Sequence, residues 1–95
     1  MAKGYWIARI DVADAEAYKS YVAAATPAYQ KYGAKFPVRG GRYEAVEGRA
    51  RGRNVVIEFE SYEVALACYR SAEYQAAAQF RRNASMGEIL VVEGT

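Results

Sequence analysis

Between Gly4 and Asp11 the chain reads Gly-Tyr-Trp-Ile-Ala-Arg-Ile-Asp, and this stretch limits the fold more than any other. Aromatic and β-branched side chains pack well on a pleated surface, so the stretch is predicted to be a strand. Alternation sorts it into two faces, with Trp6, Ala8 and Ile10 on one and Tyr5, Ile7 and Arg9 on the other. The first face is wholly apolar and needs a cover. The second is apolar except for one arginine, whose charge calls for an answer from a neighbouring element.

The cover follows directly. Asp14 is placed to cap a helix, and from Ala15 apolar residues recur at helical spacing through Tyr18, Tyr21, Val22, Ala25, Tyr29 and Tyr32. Pro27 removes one backbone donor and is expected to kink the helix or restart it behind Thr26. Gly33 supplies the stop. Lys35 to Gly48 then reads as extended, with Gly40-Gly41 in its middle as either a bulge in one long strand or a tight hairpin turn; the bulge is the favoured expectation. Glu47 to Arg53 is polar and reads as a turn.

Asn54 to Glu60 is a second strong strand, with Val55, Ile57 and Phe59 opposed to Val56, Glu58 and Glu60. Ser61 caps the next helix, and Ser71 with Glu73 repeats the capping pattern, predicting a break near Arg70 and a second segment to about Arg82. Met86 to Glu93 closes the chain as a further strand. The order strand, helix, strand, strand, helix, strand predicts an α+β chain, a ferredoxin-like βαββαβ antiparallel sheet with its helices on one face. Residues 1–95 are expected to form a single domain.

Composition narrows the classes of function. Thirteen basic residues against eleven acidic ones give a net charge of +2, too balanced to predict nucleic-acid binding. The single cysteine, Cys68, allows no internal disulfide and fits a reducing cytoplasm. The start of the chain reads as strand rather than signal peptide, and no apolar run nears the roughly 20 residues that span a bilayer. One cysteine and no histidine cannot build a zinc site, and neither a phosphate loop nor a nucleophile triad is present, so no metal and no cofactor are expected. A chain this short also has a thin core, which favours pairing with a second copy.

Several pieces taken in order carry a resemblance: Gly4 to Asp11, Tyr18 with Tyr21, Lys31-Tyr32-Gly33-Ala34, Val38-Arg39-Gly40-Gly41, Val46-Glu47-Gly48, Val56-Ile57-Glu58-Phe59, and Cys68-Tyr69-Arg70-Ser71 followed by Glu73-Tyr74-Gln75. Together they resemble the domain of unknown function 1330 family over nearly the whole chain. The resemblance implies membership of the dimeric α/β-barrel superfamily, in which two ferredoxin-like sheets pack face to face as a homodimer. It implies no established activity. Relatives in that superfamily include cofactor-independent monooxygenases, muconolactone isomerases and haem-degrading enzymes; a histidine haem ligand is impossible in this chain.

If the two strongest strands are neighbours, Arg9 and Glu58 share the less apolar face of the sheet and are expected to touch. They either orient a small polar or carbonyl ligand, with Tyr5 as donor, or form a structural ion pair that answers its own charges. Tyr69 and Tyr74 are further candidates, since phenols converging on a cleft suit an aromatic ligand, although most tyrosines at helical spacing serve the core. The candidate ligand-binding set is therefore Arg9, Glu58, Tyr5, Tyr69 and Tyr74. Two classes of function compete: a non-catalytic binding or structural dimer, and a cofactor-independent monooxygenase- or isomerase-like enzyme acting on a small aromatic or carbonyl compound. Cys68, with no histidine to activate it, is expected to be a core residue. The arginines at 39, 42, 49, 51 and 53 are expected to decorate a solvated hairpin.

Overall fold

A computed structural model describes residues 2–95. Three of the four strands occur where alternation predicts them, and the second is shorter than expected: β1 spans Gly4–Val12, β2 Lys35–Arg39, β3 Arg53–Phe59 and β4 Ser85–Glu93. They form one antiparallel sheet in the order β2-β3-β1-β4, so the octapeptide that dominates the sequence sits at the centre between β3 and β4. Trp6, Ala8, Ile10, Val55, Ile57 and Phe59 are all buried on one face. Helices α1 (Ala15–Lys31), α2 (Tyr62–Arg70) and α3 (Ala72–Ala84) cover that face. Trp6 anchors the two layers: its indole nitrogen donates to the Ala65 carbonyl at 2.8 Å, and its ring meets Tyr29, Phe59, Tyr69 and Tyr74.

The caps fall where the sequence puts them. Asp14 accepts from the Ala17 amide, Ser61 from Val64 and Ser71 from Tyr74. Ser71 also donates to the Cys68 carbonyl, closing α2 while opening α3. Pro27 behaves otherwise. The helix runs unbroken from Ala15 to Lys31, and the Thr26 hydroxyl donates back to the Val22 carbonyl instead of capping a new segment. Pro27 and Ala23, whose carbonyl loses its partner, both lie on the exposed side, where water replaces the missing bond while buried Tyr21, Ala25, Ala28 and Tyr29 hold the helix to the sheet.

The second strand corrects a further expectation. The bulge is not at Gly40-Gly41. Lys35 pairs with Glu58 and Val38 with Val56, so the extra residue lies between Lys35 and Val38, at Phe36-Pro37. Proline has no donor for a ladder and belongs on an edge strand or a bulge; Pro37 is on both. Pairing stops at Arg39. Gly40 then turns with φ +67, its amide donating to the Asn54 carbonyl, and residues 41–52 carry no regular structure.

Candidate functional site

The sheet separates the sequence-predicted residues into two groups. Tyr5, Arg9 and Glu58 lie on the face away from the helices, whereas Tyr69 and Tyr74 come from α2 and α3 on the other side. Tyr5 is opposite Glu58 and its hydroxyl donates to that carboxylate at 3.4 Å. Arg9 is opposite Asn54, four further pairs along the ladder. The expected contact between Arg9 and Glu58 is therefore absent: they share a face but are separated by four residues of strand, roughly 13 Å. A shared face was legible in the sequence; the register was not.

Arg9 instead donates to the Arg49 carbonyl at 2.8 Å, within a charged cluster at one end of the open face. Arg51 is its hinge. Its guanidinium bonds Asp11 at 2.6 Å and both oxygens of Glu88 at 2.9 and 2.7 Å, and Asp11 also accepts from the Gly52 amide. The Gly52 amide and the Arg51 side chain hold the Asp11 carboxyl below its ordinary range, and Arg51 does the same for Glu88. Both acids have their charge answered, so this cluster fastens the 41–52 segment to the sheet.

The helix side holds the more open chemistry. Between α1 and the sheet lies a cavity of about 30 Å³, walled by Trp6, Ala8, Ile57, Tyr21, Tyr29 and Phe36. The Tyr21 hydroxyl bonds those of Tyr29 at 2.9 Å and Tyr74 at 2.8 Å, forming a chain of three buried phenols. Burial raises the pKa of all three above the ordinary phenol value, so they stay protonated and are not bases; two of their three protons are spent on the bonds within the chain, which leaves one to donate outward. Tyr74 is thus structural in part, since its ring also packs on Trp6 and Tyr69. Cys68 is fully buried and its thiol is pushed up to about 12 by desolvation, in keeping with a core residue.

Three arginines also line this cavity: Arg39, Arg53 and Arg81. Arg81 is only 9% exposed, with its guanidinium over the Tyr21 ring and close to the Tyr74 phenol. Arg53 lies over Tyr18, and Arg39 stacks on Phe36 at 4.2 Å. The bulge at Phe36-Pro37 makes this last contact. An unbroken strand would send Phe36 and Arg39 to opposite faces, but the extra residue brings both to the helix side. Among the described residues no carboxylate pairs with any of the three, and the Nε atoms of Arg53 and Arg81 have no acceptor.

Arg81 and Tyr21 escaped the sequence-derived site. A signal existed: Tyr74, Ala77, Ala78 and Arg81 follow the spacing of one helix face, which puts an arginine in phase with a buried stripe. Among the described residues no group of three histidine, cysteine, aspartate or glutamate side chains could hold a metal ion. Among the described residues no helix is long and apolar enough to cross a membrane either.

Comparison with known proteins agrees with the fold. A protein of unknown function from Rhodopseudomonas palustris superposes with a TM-score of 0.75 at 16% identity, covering 97% of this chain and 80% of its own. SnoaB, a cofactor-independent oxygenase from Streptomyces nogalater, gives 0.61 at 14% identity, with 97% and 92% covered. A dimeric ferredoxin-like protein of unknown function from Thermobifida fusca gives 0.60 at 14% identity, with 97% and 89% covered. At such identities the likeness is one of fold. No curated protein matches the chain in sequence. The model of the domain of unknown function DUF1330 matches residues 3–95, and the chain belongs to that family.

Proposed function

We propose that this chain works as a homodimer joined through its open sheet faces, each subunit binding a small molecule in the cavity between α1 and the sheet. The observation that carries the reading is the chain of buried phenols beside a buried guanidinium, a set of convergent donors in an otherwise apolar, aromatic wall. This moves the site away from Arg9 and Glu58, whose face is assigned to the second copy. Tyr5 and Glu58 then belong to the interface, while Tyr69 and Tyr74 support the cavity wall from behind.

Binding without turnover is the primary reading, because the cavity offers donors but no base: the phenols are held protonated and the chain has no histidine. A second reading, a cofactor-independent oxygenase or isomerase, is favoured by the fold shared with SnoaB and by the same donors, which would stabilise an enolate oxygen on a substrate able to lose its own proton. The single buried thiol suits a reducing compartment such as the cytoplasm.

A fragment screen by NMR on the uniformly labelled protein tests the site. Small aromatic compounds are expected to perturb Tyr21, Val22, Phe36 and Ile57. Perturbations confined to Tyr5, Arg9 and Glu58, or none at millimolar concentration, would sink it.

A further inference from the structure

We infer that the ligand of this cavity carries an anionic oxygen group, a carboxylate or its equivalent, which the structure assigns to Arg81 and Arg53. The inference rests on the small-molecule reading of the same cavity and names the class of molecule that fits it. Three cationic side chains and no acidic one line the cavity. A buried guanidinium is costly unless its charge and its donors are answered. Arg81 is nine-tenths buried, its guanidinium lies against the Tyr21 ring and the Tyr74 phenol, and its Nε has no acceptor among the described residues.

Arg53 repeats the pattern. Its Nε is also buried and without an acceptor, and its guanidinium lies over the ring of Tyr18. Tyr18 and Tyr21 are themselves 5.2 Å apart, so the two cations flank one pair of rings. Arginine's planar fork is shaped for carboxylate oxygens. The cavity of about 30 Å³ has room for about two water-sized groups, the bulk of a carboxylate and no more. The body of the ligand therefore lies towards β2, where Arg39 is exposed and Phe36 offers a ring face. A flat, slender acid suits this arrangement: head inwards on two guanidiniums, body against aromatic rings. Arg39, stacked over Phe36, is the exposed member of the cavity lining on that side.

Benzoate and benzamide share size and shape but differ in charge, and titrating each into the ¹⁵N-labelled protein separates the cases. Benzoate is expected to move the Arg81 and Arg53 Nε–H signals and to bind at least about tenfold more tightly than benzamide. Arg81→Met should abolish that preference while the variant stays folded, since methionine removes an unanswered charge and fills similar space. Should Arg81→Met not fold, Arg53→Gln and the wild-type comparison still decide. Equal binding of both probes at the cavity residues would overturn the anionic class and leave the small-molecule reading standing. Cavity signals unmoved by either probe would overturn both. Shifts from benzoate confined to exposed arginines such as Arg42 and Arg49 would mean surface ion pairing, and would also overturn the assignment.

Discussion

At the scale of single residues, Tyr21 has the most to lose. Its hydroxyl is the middle of the three-phenol chain, and replacing it by phenylalanine leaves Tyr29 and Tyr74 each short of a buried partner. The expected cost is about 1–3 kcal/mol, measured by urea unfolding. Alkaline titration reads the same network. Desolvation raises the three phenols above the value near 10 that holds in the unfolded chain. Their contribution is complete below about pH 10 and is lost as the pH climbs from there towards the folded-state values. Of the nine tyrosines, three should therefore resist ionisation until the protein unfolds in alkali. Simultaneous ionisation of all nine with the fold intact would contradict the buried chain. Some of this was visible in the sequence: helical spacing placed Tyr18, Tyr21 and Tyr29 on one face. Which hydroxyls meet is a matter of how α1 crosses α3, and single-chain periodicity carries no such information.

At the scale of elements, strands and caps were legible because each is local: alternation marks β1 and β3, and a capping aspartate or serine followed by an acid in the first turn marks each helix start. The failures share a different cause. Register between β1 and β3 decides whether Arg9 meets Glu58, and it is fixed by distant connections rather than by either strand. Pro27 sits inside a helix because its missing bond faces solvent, which is visible only once the buried side is known. The bulge falls not at the paired glycines but at Phe36-Pro37, where proline has no donor to give the ladder. The glycines accordingly separate. Gly40→Ala should cost about 1–2 kcal/mol, because its backbone is left-handed. A Cβ there would also press on the Arg53 guanidinium. Gly41→Ala, with open space around it and no such backbone, should leave the melting temperature unchanged. Equal losses at both positions would show that the turn, rather than Gly40 alone, demands glycine.

At the scale of the whole molecule, the open face poses the remaining question. An antiparallel sheet with one solvated face normally turns polar residues outwards. Here Val38, Val56, Ile7 and Leu90 are paired in succession, an apolar row that crosses all four strands. Leu90 is 51% exposed, and Met86 and Val92 add to the same surface. Charge is kept to the ends, with Arg9, Asp11, Arg51 and Glu88 at one and Tyr5 with Glu58 at the other. An apolar middle within a polar rim is the anatomy of an interface, and a small chain with a thin core gains from covering it. The homodimer proposed above would lay this row against its own copy across a two-fold axis. Light scattering at micromolar concentration should therefore report twice the 10.5 kDa chain mass. Leu90→Glu places a charge in the middle of the row without touching the helix-side core, so it should give a folded monomer with reduced melting temperature. Because the cavity lies on the opposite side of the sheet, that monomer should still bind benzoate. A Leu90→Glu chain that stays dimeric would place the interface elsewhere, on the outer edge of β4 or on the helices.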